Sequence, residues 1–502
     1  MISSSQTELP KTIYAEAVVP FGNEDTIYDI NNKEYSYVTQ QSVNEYLVDS
    51  NEVEKARTFL REKGFKVSDS DNSKLPYLFV AGSPQRFKQT FGLEIRTREV
   101  SNVSLGKDVT VTHLVFDNQE PYGYAKISTD NTHPIKGITL SAPGILFQAA
   151  SGTPPNPNYF HLKLPTDLAS RLGAETVHDN NITGKNIRVA MIDTGHFLHP
   201  FFVQKGYIRK DVILTSLATD PNKDDHGHGT AHSANLYAIA PGVTLIPIKA
   251  TPTISSNNET KDSILATTEA LKIATNLDSP PDIITCSWGF NFENPNDILN
   301  FGGKSLEVAI AAAASKGIVV IFSGGNTGSR GFPADHPDVI AAGGVYMDEN
   351  GTLAASNYAT TYDSKIYPGR SVPDLCGLVG LKPSGRYLTL PVPAGSKMDQ
   401  DYSIFDETDP DDGWAVFSGT SAAAPQIAGV VALMMQSNPA LKGDPSGVKD
   451  ILIETAVDVQ TGSATLPDGN PKAAKAGQDL ATGHGLVNAF AAVRKAQIRI
   501  SA

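Results

Sequence analysis

Toward the C-terminus stands Ser418-Gly-Thr-Ser421-Ala-Ala-Ala-Pro425, followed by an apolar pattern of helical spacing. A serine hydroxyl is a poor nucleophile at neutral pH and needs a base within hydrogen-bond reach to take its proton. Far upstream the chain offers His226-Gly-His228-Gly-Thr230, and before that Asp193-Thr-Gly195 at the end of an apolar run. In such a set Ser421 attacks, His228 takes the proton, and Asp193 fixes the imidazole tautomer and steadies the imidazolium. The small residues around Ser421 and His228 leave room for a peptide backbone. Taken singly, Ser421 also reads as a helix N-cap and Asp193 as a strand-end turn former. Together, in the order Asp, His, Ser, they imply acyl transfer through a catalytic triad.

Acyl transfer also needs a donor aimed at the oxyanion of the tetrahedral intermediate. Asn326, in Ser323-Gly324-Gly325-Asn326-Thr-Gly328, directly follows an apolar run and is the candidate, with the Ser421 backbone N–H as second donor. His226, His228 and His232 invite a metal reading, but their spacing matches no zinc pattern, and no HExxH motif occurs. His232 lies one helical turn past His228, where it supports the base or simply packs. Cys286 and Cys376 read as core thiols. No cofactor is required by this chemistry, and calcium is left open as a structural ion.

Short apolar runs must position these groups. The segments at 186–193, 243–250, 282–289 and 317–325 are near-continuous, as in a parallel sheet buried on both faces. Helical spacing marks 263–277 and 305–317 between them, which predicts a doubly wound, mostly parallel α/β sheet. A smaller α/β unit precedes it. There 12–21 suits a strand, Asn51 caps a helix ending at Gly64, and 76–82 is a strand. Ser83-Pro84 then starts a second helix that ends at Gly92 before a further strand. Two strand–helix–strand units in succession predict a ferredoxin-like fold. The Pro- and Gly-bearing stretch from Ser141 to Pro157 reads as an exposed linker. The segment Asp399–Asp412 holds seven carboxylates in fourteen residues and reads as a solvated loop, with a calcium site as the alternative.

The chain has 502 residues and a net charge of -13, which argues against nucleic acid or an anionic membrane as partner. Two cysteines build no disulfide framework. The N-terminus lacks a basic region followed by an apolar one, so a cytoplasmic location is expected, with leaderless export left open.

At DTG, HGHGT, SGGN and GTSAAAP the chain resembles the subtilisin-like serine endopeptidases, the subtilases, over about residues 165–502. The resemblance implies Asp193, His228 and Ser421 as the triad and Asn326 in the oxyanion hole. It also implies Ser287-Trp288-Gly289 and Ser323-Gly324-Gly325 as the stretches flanking the first substrate pocket. No charge occurs in either stretch, which predicts an apolar or broad preference there. The stretch Ala231–Pro241 runs on without the calcium-loop insertion that many secreted relatives carry. The N-terminal part resembles instead the activation domain of the sedolisins, on Val80-Ala-Gly-Ser-Pro-Gln-Arg-Phe87 and Phe91-Gly92. Sedolisins place Glu where His228 stands and Asp where Asn326 stands, so the subtilisin choices here predict activity at neutral rather than acid pH.

These readings imply a zymogen. Residues 1–145 would form a sedolisin-type activation prodomain that inhibits its own enzyme. Residues 146–164 would be the linker holding the self-cleavage region, and 165–502 the catalytic domain. The partners would be a peptide or unfolded protein substrate and the chain's own prodomain, with neither nucleic acid nor membrane. Two other readings stay open: a dedicated intracellular protease that processes one precursor, and a catalytically silent binding protein on the same fold.

Overall fold

The computed structural model describes residues 9–20, 27, 38–68, 74–104, 107–117, 123–127, 132–140, 160–250, 263–291, 302–383, 385–408 and 410–499. Most of the expected linker, at 141–159, lies outside them.

In chain order the N-terminal part contains β1 (Ile13–Val18), α1 (Ser50–Glu62), β2 (Lys66–Val67), β3 (Tyr77–Gly82) and α2 (Pro84–Phe91). Then come β4 (Ile95–Ser104), β5 (Lys107–Phe116), β6 (Tyr124–Lys126) and β7 (Gly137–Thr139). Five of the strands form an antiparallel sheet in the order β2-β3-β1-β7-β6. Helix α1 buries Val53, Ala56, Arg57 and Leu60, the i, i+3, i+4, i+7 stripe of a half-buried helix. Its cap is Asp49, whose side chain accepts from Asn51 N at 2.7 Å, so the helix starts earlier than the expected Asn51 cap. Ser83 does cap α2, accepting from Arg86 N at 3.2 Å, and Gly92 closes it at φ 72°. The strand expected after α2 does not join the sheet. As β4 it pairs along its whole length with β5 in a separate hairpin.

The larger part is built on the four expected apolar runs. They form β8 (Arg188–Asp193), β9 (Thr244–Lys249), β10 (Ile283–Cys286) and β11 (Val319–Ser323). With β12 (Val339–Met347) they make a parallel sheet in the order β9-β8-β10-β11-β12, and β13 (Leu375–Leu378) pairs with β12. Successive side chains alternate between two cores, as the strand period demands. Val189, Met191, Ile283 and Ile321 face helices α3 (His228–Ile239) and α7 (Thr420–Ser437). Ala190, Ile192, Ile284 and Phe322 face α4 (Ser263–Thr275) and α5 (Gly303–Ser315).

That second core continues into the N-terminal sheet. Val18, Tyr77, Phe79 and Tyr124 belong to the same cluster as Ile264, Leu265, Leu306 and Ala309. Polar contacts cross the same boundary: the Ser305 hydroxyl donates to Glu16 Oε2, and Gln40 N donates to Asp338 Oδ2 at 2.5 Å. His336 Nε2 donates to Val38 O at 2.6 Å.

The acid-rich segment is not the expected solvated loop. Residues Lys397–Asp406 form helix α6. Asp399 Oδ2 accepts from Gly395 N at 2.8 Å, and Asp406 Oδ2 accepts from Val416 N at 2.7 Å. Both carboxylates turn inward and satisfy backbone donors that would otherwise be orphaned. Among the described residues, no group of three or more His, Cys, Asp or Glu side chains is placed to hold a metal ion.

Candidate active site

The strand order changes direction between β8 and β10, and ligands in open α/β sheets bind beside the carboxyl ends of strands at such a point. Asp193 is the last residue of β8, and Ser287 follows the end of β10. Helix α3 opens with His228 and helix α7 with Thr420-Ser421, so both helix starts come to the same edge.

The expected triad members are all buried here. His228 Nδ1 donates to Asp193 Oδ1 at 2.7 Å, and the same oxygen accepts from Thr194 N at 2.8 Å. This bond places the imidazole proton on Nδ1 and leaves Nε2 a lone pair. His228 Nε2 is buried and has no hydrogen-bond partner among the described residues. The Ser421 hydroxyl donates to Ser287 O at 2.7 Å, while Ser287 Oγ donates back to Ser421 O at 2.9 Å. Ser421 and Ser287 are thus tied by a reciprocal pair.

Asn326 is held by a residue that sequence reasoning missed. Thr420 N donates to Asn326 Oδ1 at 3.1 Å, which fixes which end of the carboxamide faces the site. Asn326 Nδ2 is left buried without a partner. Ser323 ends β11 with its side chain buried, Gly324 N donates to Ala342 O at 2.9 Å, and Gly325 N donates to Thr420 Oγ1 at 3.2 Å. On the other stretch Gly289 is buried, and the Trp288 ring turns into the core, its Nε1 donating to Thr267 Oγ1 at 2.9 Å.

Asp224 is the second residue missed. It lies four positions before His228 and is buried. Its Oδ1 accepts from the Thr194 hydroxyl at 2.7 Å and from Gly227 N at 3.0 Å. Its Oδ2 accepts from Thr230 N at 2.9 Å and the Thr230 hydroxyl at 2.7 Å. Thr194 Oγ1 in turn accepts from Gly229 N at 3.0 Å. The amide after His228 is therefore fastened to Thr194, the residue beside Asp193, and the amide before it to Asp224, which Thr194 also bonds. Burial alone would raise the Asp224 carboxyl, but hydrogen bonds from Thr230, Thr194 and Gly227 outweigh it and hold the group below the usual carboxylate range. The sequence did carry a signal, an acid just ahead of a helix start that has no side-chain cap of its own.

Near His228, the two other imidazoles of the cluster are both held below the ordinary histidine range. Burial and then the neighbouring His228 push His226 down to about 3, and burial, His228 and His226 push His232 well below the ordinary range. Burial raises both thiols, Cys286 and Cys376, far above the ordinary value, in keeping with core packing.

A base–carboxylate pair, a serine in the first turn of a helix and a buried carboxamide held by that same turn are the parts that a serine hydrolase needs. A family model described as the subtilase family matches residues 184–485, more than half of the chain. The chain belongs to the subtilase family of serine endopeptidases. It is 26% identical over 338 residues to alkaline elastase YaB of Bacillus sp. (strain YaB), covering 65% of this chain and 69% of that protein. Subtilisin E of Bacillus subtilis (strain 168) is 25% identical over 303 residues, 57% of this chain and 65% of its own length. Serine protease AprX of the same strain is 28% identical over 301 residues, 54% and 61% of the two lengths.

Proposed function

We propose that this chain is a self-inhibited serine endopeptidase that hydrolyses peptide bonds through an acyl-enzyme on Ser421. The observation that carries the reading is the pairing of two unsatisfied buried groups, His228 Nε2 as proton acceptor and Asn326 Nδ2 as oxyanion donor. In the first step Ser421 Oγ leaves Ser287 O, gives its proton to His228 Nε2 and bonds to the scissile carbonyl carbon. Asp193 stabilises the imidazolium, and Asn326 Nδ2 with Ser421 N–H receives the oxyanion. His228 then returns the proton to the leaving amine as the C–N bond breaks. Water repeats the sequence to release the acid and restore the hydroxyl.

Residues 1–145 act in this reading as a sedolisin-type, ferredoxin-like prodomain, 146–164 as the linker that is cut, and 165–502 as the catalytic domain. Support comes from the apolar core shared by the N-terminal sheet with α4 and α5, and from the Val38 and Gln40 contacts to His336 and Asp338. An extensive buried contact of this kind keeps a cleaved N-terminal unit bound, which silences the enzyme until that unit is destroyed. A fluorophosphonate probe applied after the N-terminal unit is removed tests the reading. The adduct is expected on Ser421, together with hydrolysis of unfolded casein. No adduct would leave a silent scaffold, and an adduct without casein hydrolysis would favour a dedicated processing protease.

A further inference from the structure

The floor beneath the catalytic imidazole is another histidine. His232 is buried, its ring centroid lies 4.3 Å from that of His228, and the planes meet at 74°. On its far side Phe417 closes the contact at 5.7 Å and 82°. Two rings packed edge to face on one helix leave little room for the upper one to tilt.

A chain of buried amides fixes this second ring. Leu378 N donates to Gln426 Oε1 at 2.7 Å, so the Gln426 amide nitrogen faces the other way, donating to Leu378 O at 3.0 Å and to Asn235 Oδ1 at 3.1 Å. Asn235 therefore presents its own nitrogen to His232 Nδ1, 3.4 Å away. By elimination Nδ1 of His232 accepts and Nε2 carries the hydrogen, and that Nε2 is buried with no partner. The same chain joins the two helices that carry the chemistry, because Asn235 stands on α3 behind His228 and Gln426 on α7 behind Ser421. The helices also touch closely, since a Cβ added at Gly429 would lie 2.6 Å from Ile239 Cβ.

We propose that His232, locked by Asn235 and Gln426, is a positioning residue that seats the His228 imidazole against Asp193 and holds Nε2 toward the Ser421 side. The inference rests on the catalytic reading of the site, but its geometry concerns only the seating of one ring. A spare N–H is tolerated in the core because the ring is needed for its shape. An apolar ring of similar size should do the same work, and a small side chain should not.

Steady-state peptide hydrolysis by His232→Ala and His232→Phe, with a proton NMR measurement of the His228 Nδ1 hydrogen, tests this. Loss of the floor in His232→Ala should lower kcat about 10- to 100-fold, leave KM within about twofold, and broaden or shift the Nδ1 signal. His232→Phe should recover kcat to within about threefold of wild type, with the signal restored. An unchanged kcat and an unchanged proton in His232→Ala would overturn the proposal. So would equal losses in both variants that track their thermal unfolding, which would mark a purely structural residue. If wild type freed of its N-terminal unit neither cleaves peptide nor takes a fluorophosphonate, the catalytic reading fails, while the Nδ1 signal still reports whether His232 seats the ring.

Discussion

Asp224 Oδ2 accepts from both the backbone N–H and the hydroxyl of Thr230, at 2.9 and 2.7 Å, two residues past His228. The carboxylate caps the first turn of α3 from outside the helix and couples it to Thr194 beside Asp193. Asp224→Asn keeps the shape but loses the charge and turns one acceptor into a donor facing N–H groups. It should cost about 1–3 kcal/mol of stability and about 10-fold or more in kcat, with KM little changed. Denaturant unfolding and steady-state kinetics on the same preparation read both. The sign of the acid dependence follows from the lowered folded value. The stabilisation is fully present above the ordinary carboxylate range, declines as pH falls below it, and is gone once pH has fallen through the lower, folded value.

Asn326→Ala removes the buried amide that the proposed mechanism aims at the oxyanion. The expected loss is about 10²–10³ in kcat, with KM nearly constant, because the donor matters in the transition state more than in the ground state. A change confined to KM would place Asn326 in substrate binding instead.

Proton-driven loosening of the N-terminal unit is expected from His336. Its Nδ1 accepts from Asp338 N at 3.2 Å, and its Nε2 donates to Val38 O. Burial first, against a smaller opposing effect of the Val38 bond, holds this imidazole down to about 3, with Arg370, Lys304 and Lys449 adding to the depression. If departure of Val38 wets the ring, its value returns toward about 6.5 and the released state binds protons better. Docking is then undiminished above that value and weakens by about tenfold per pH unit below it. Dissociation of the cleaved N-terminal unit, followed by fluorescence from pH 8 to about pH 5, measures the slope, which His336→Gln should flatten.

Gly325→Ala tests the backbone beside Asn326. Gly325 sits at φ +109°, and a Cβ there would meet Ser329 O at 2.3 Å. Strain and clash both fall on backbone that cannot yield, so thermal unfolding should show a loss of at least about 2 kcal/mol.

Much of the chemistry was legible because each catalytic residue follows an apolar run or opens a helix. The runs at 186–193, 282–289 and 317–325 became β8, β10 and β11, and their ends brought Asp193, Ser287 and Asn326 to one edge. Thr420 escaped notice because it works through its own backbone amide, which leaves no pattern in residue types, and Asp224 because an acid ahead of a helix start is a signal that many ordinary turns share. Trp288 looked suited to substrate contact at a strand end, yet Thr267 on α4 drew its N–H inward, a tertiary contact invisible to local spacing. The acid-rich segment misled for a related reason. Its charge predicts solvation, while Asp399 and Asp406 serve as buried acceptors for their own neighbours. The β4 strand was found, but its partner β5 was decided by a hairpin rather than by the sheet.

Intact mass against time at neutral pH, for wild type and Ser421→Ala purified side by side, tests the central claim most directly. Wild type is expected to split into fragments of about 150 and 350 residues, as the proposed linker position requires, while Ser421→Ala stays whole. Equal splitting of both would show that another protease cuts the chain and would contradict self-processing by Ser421.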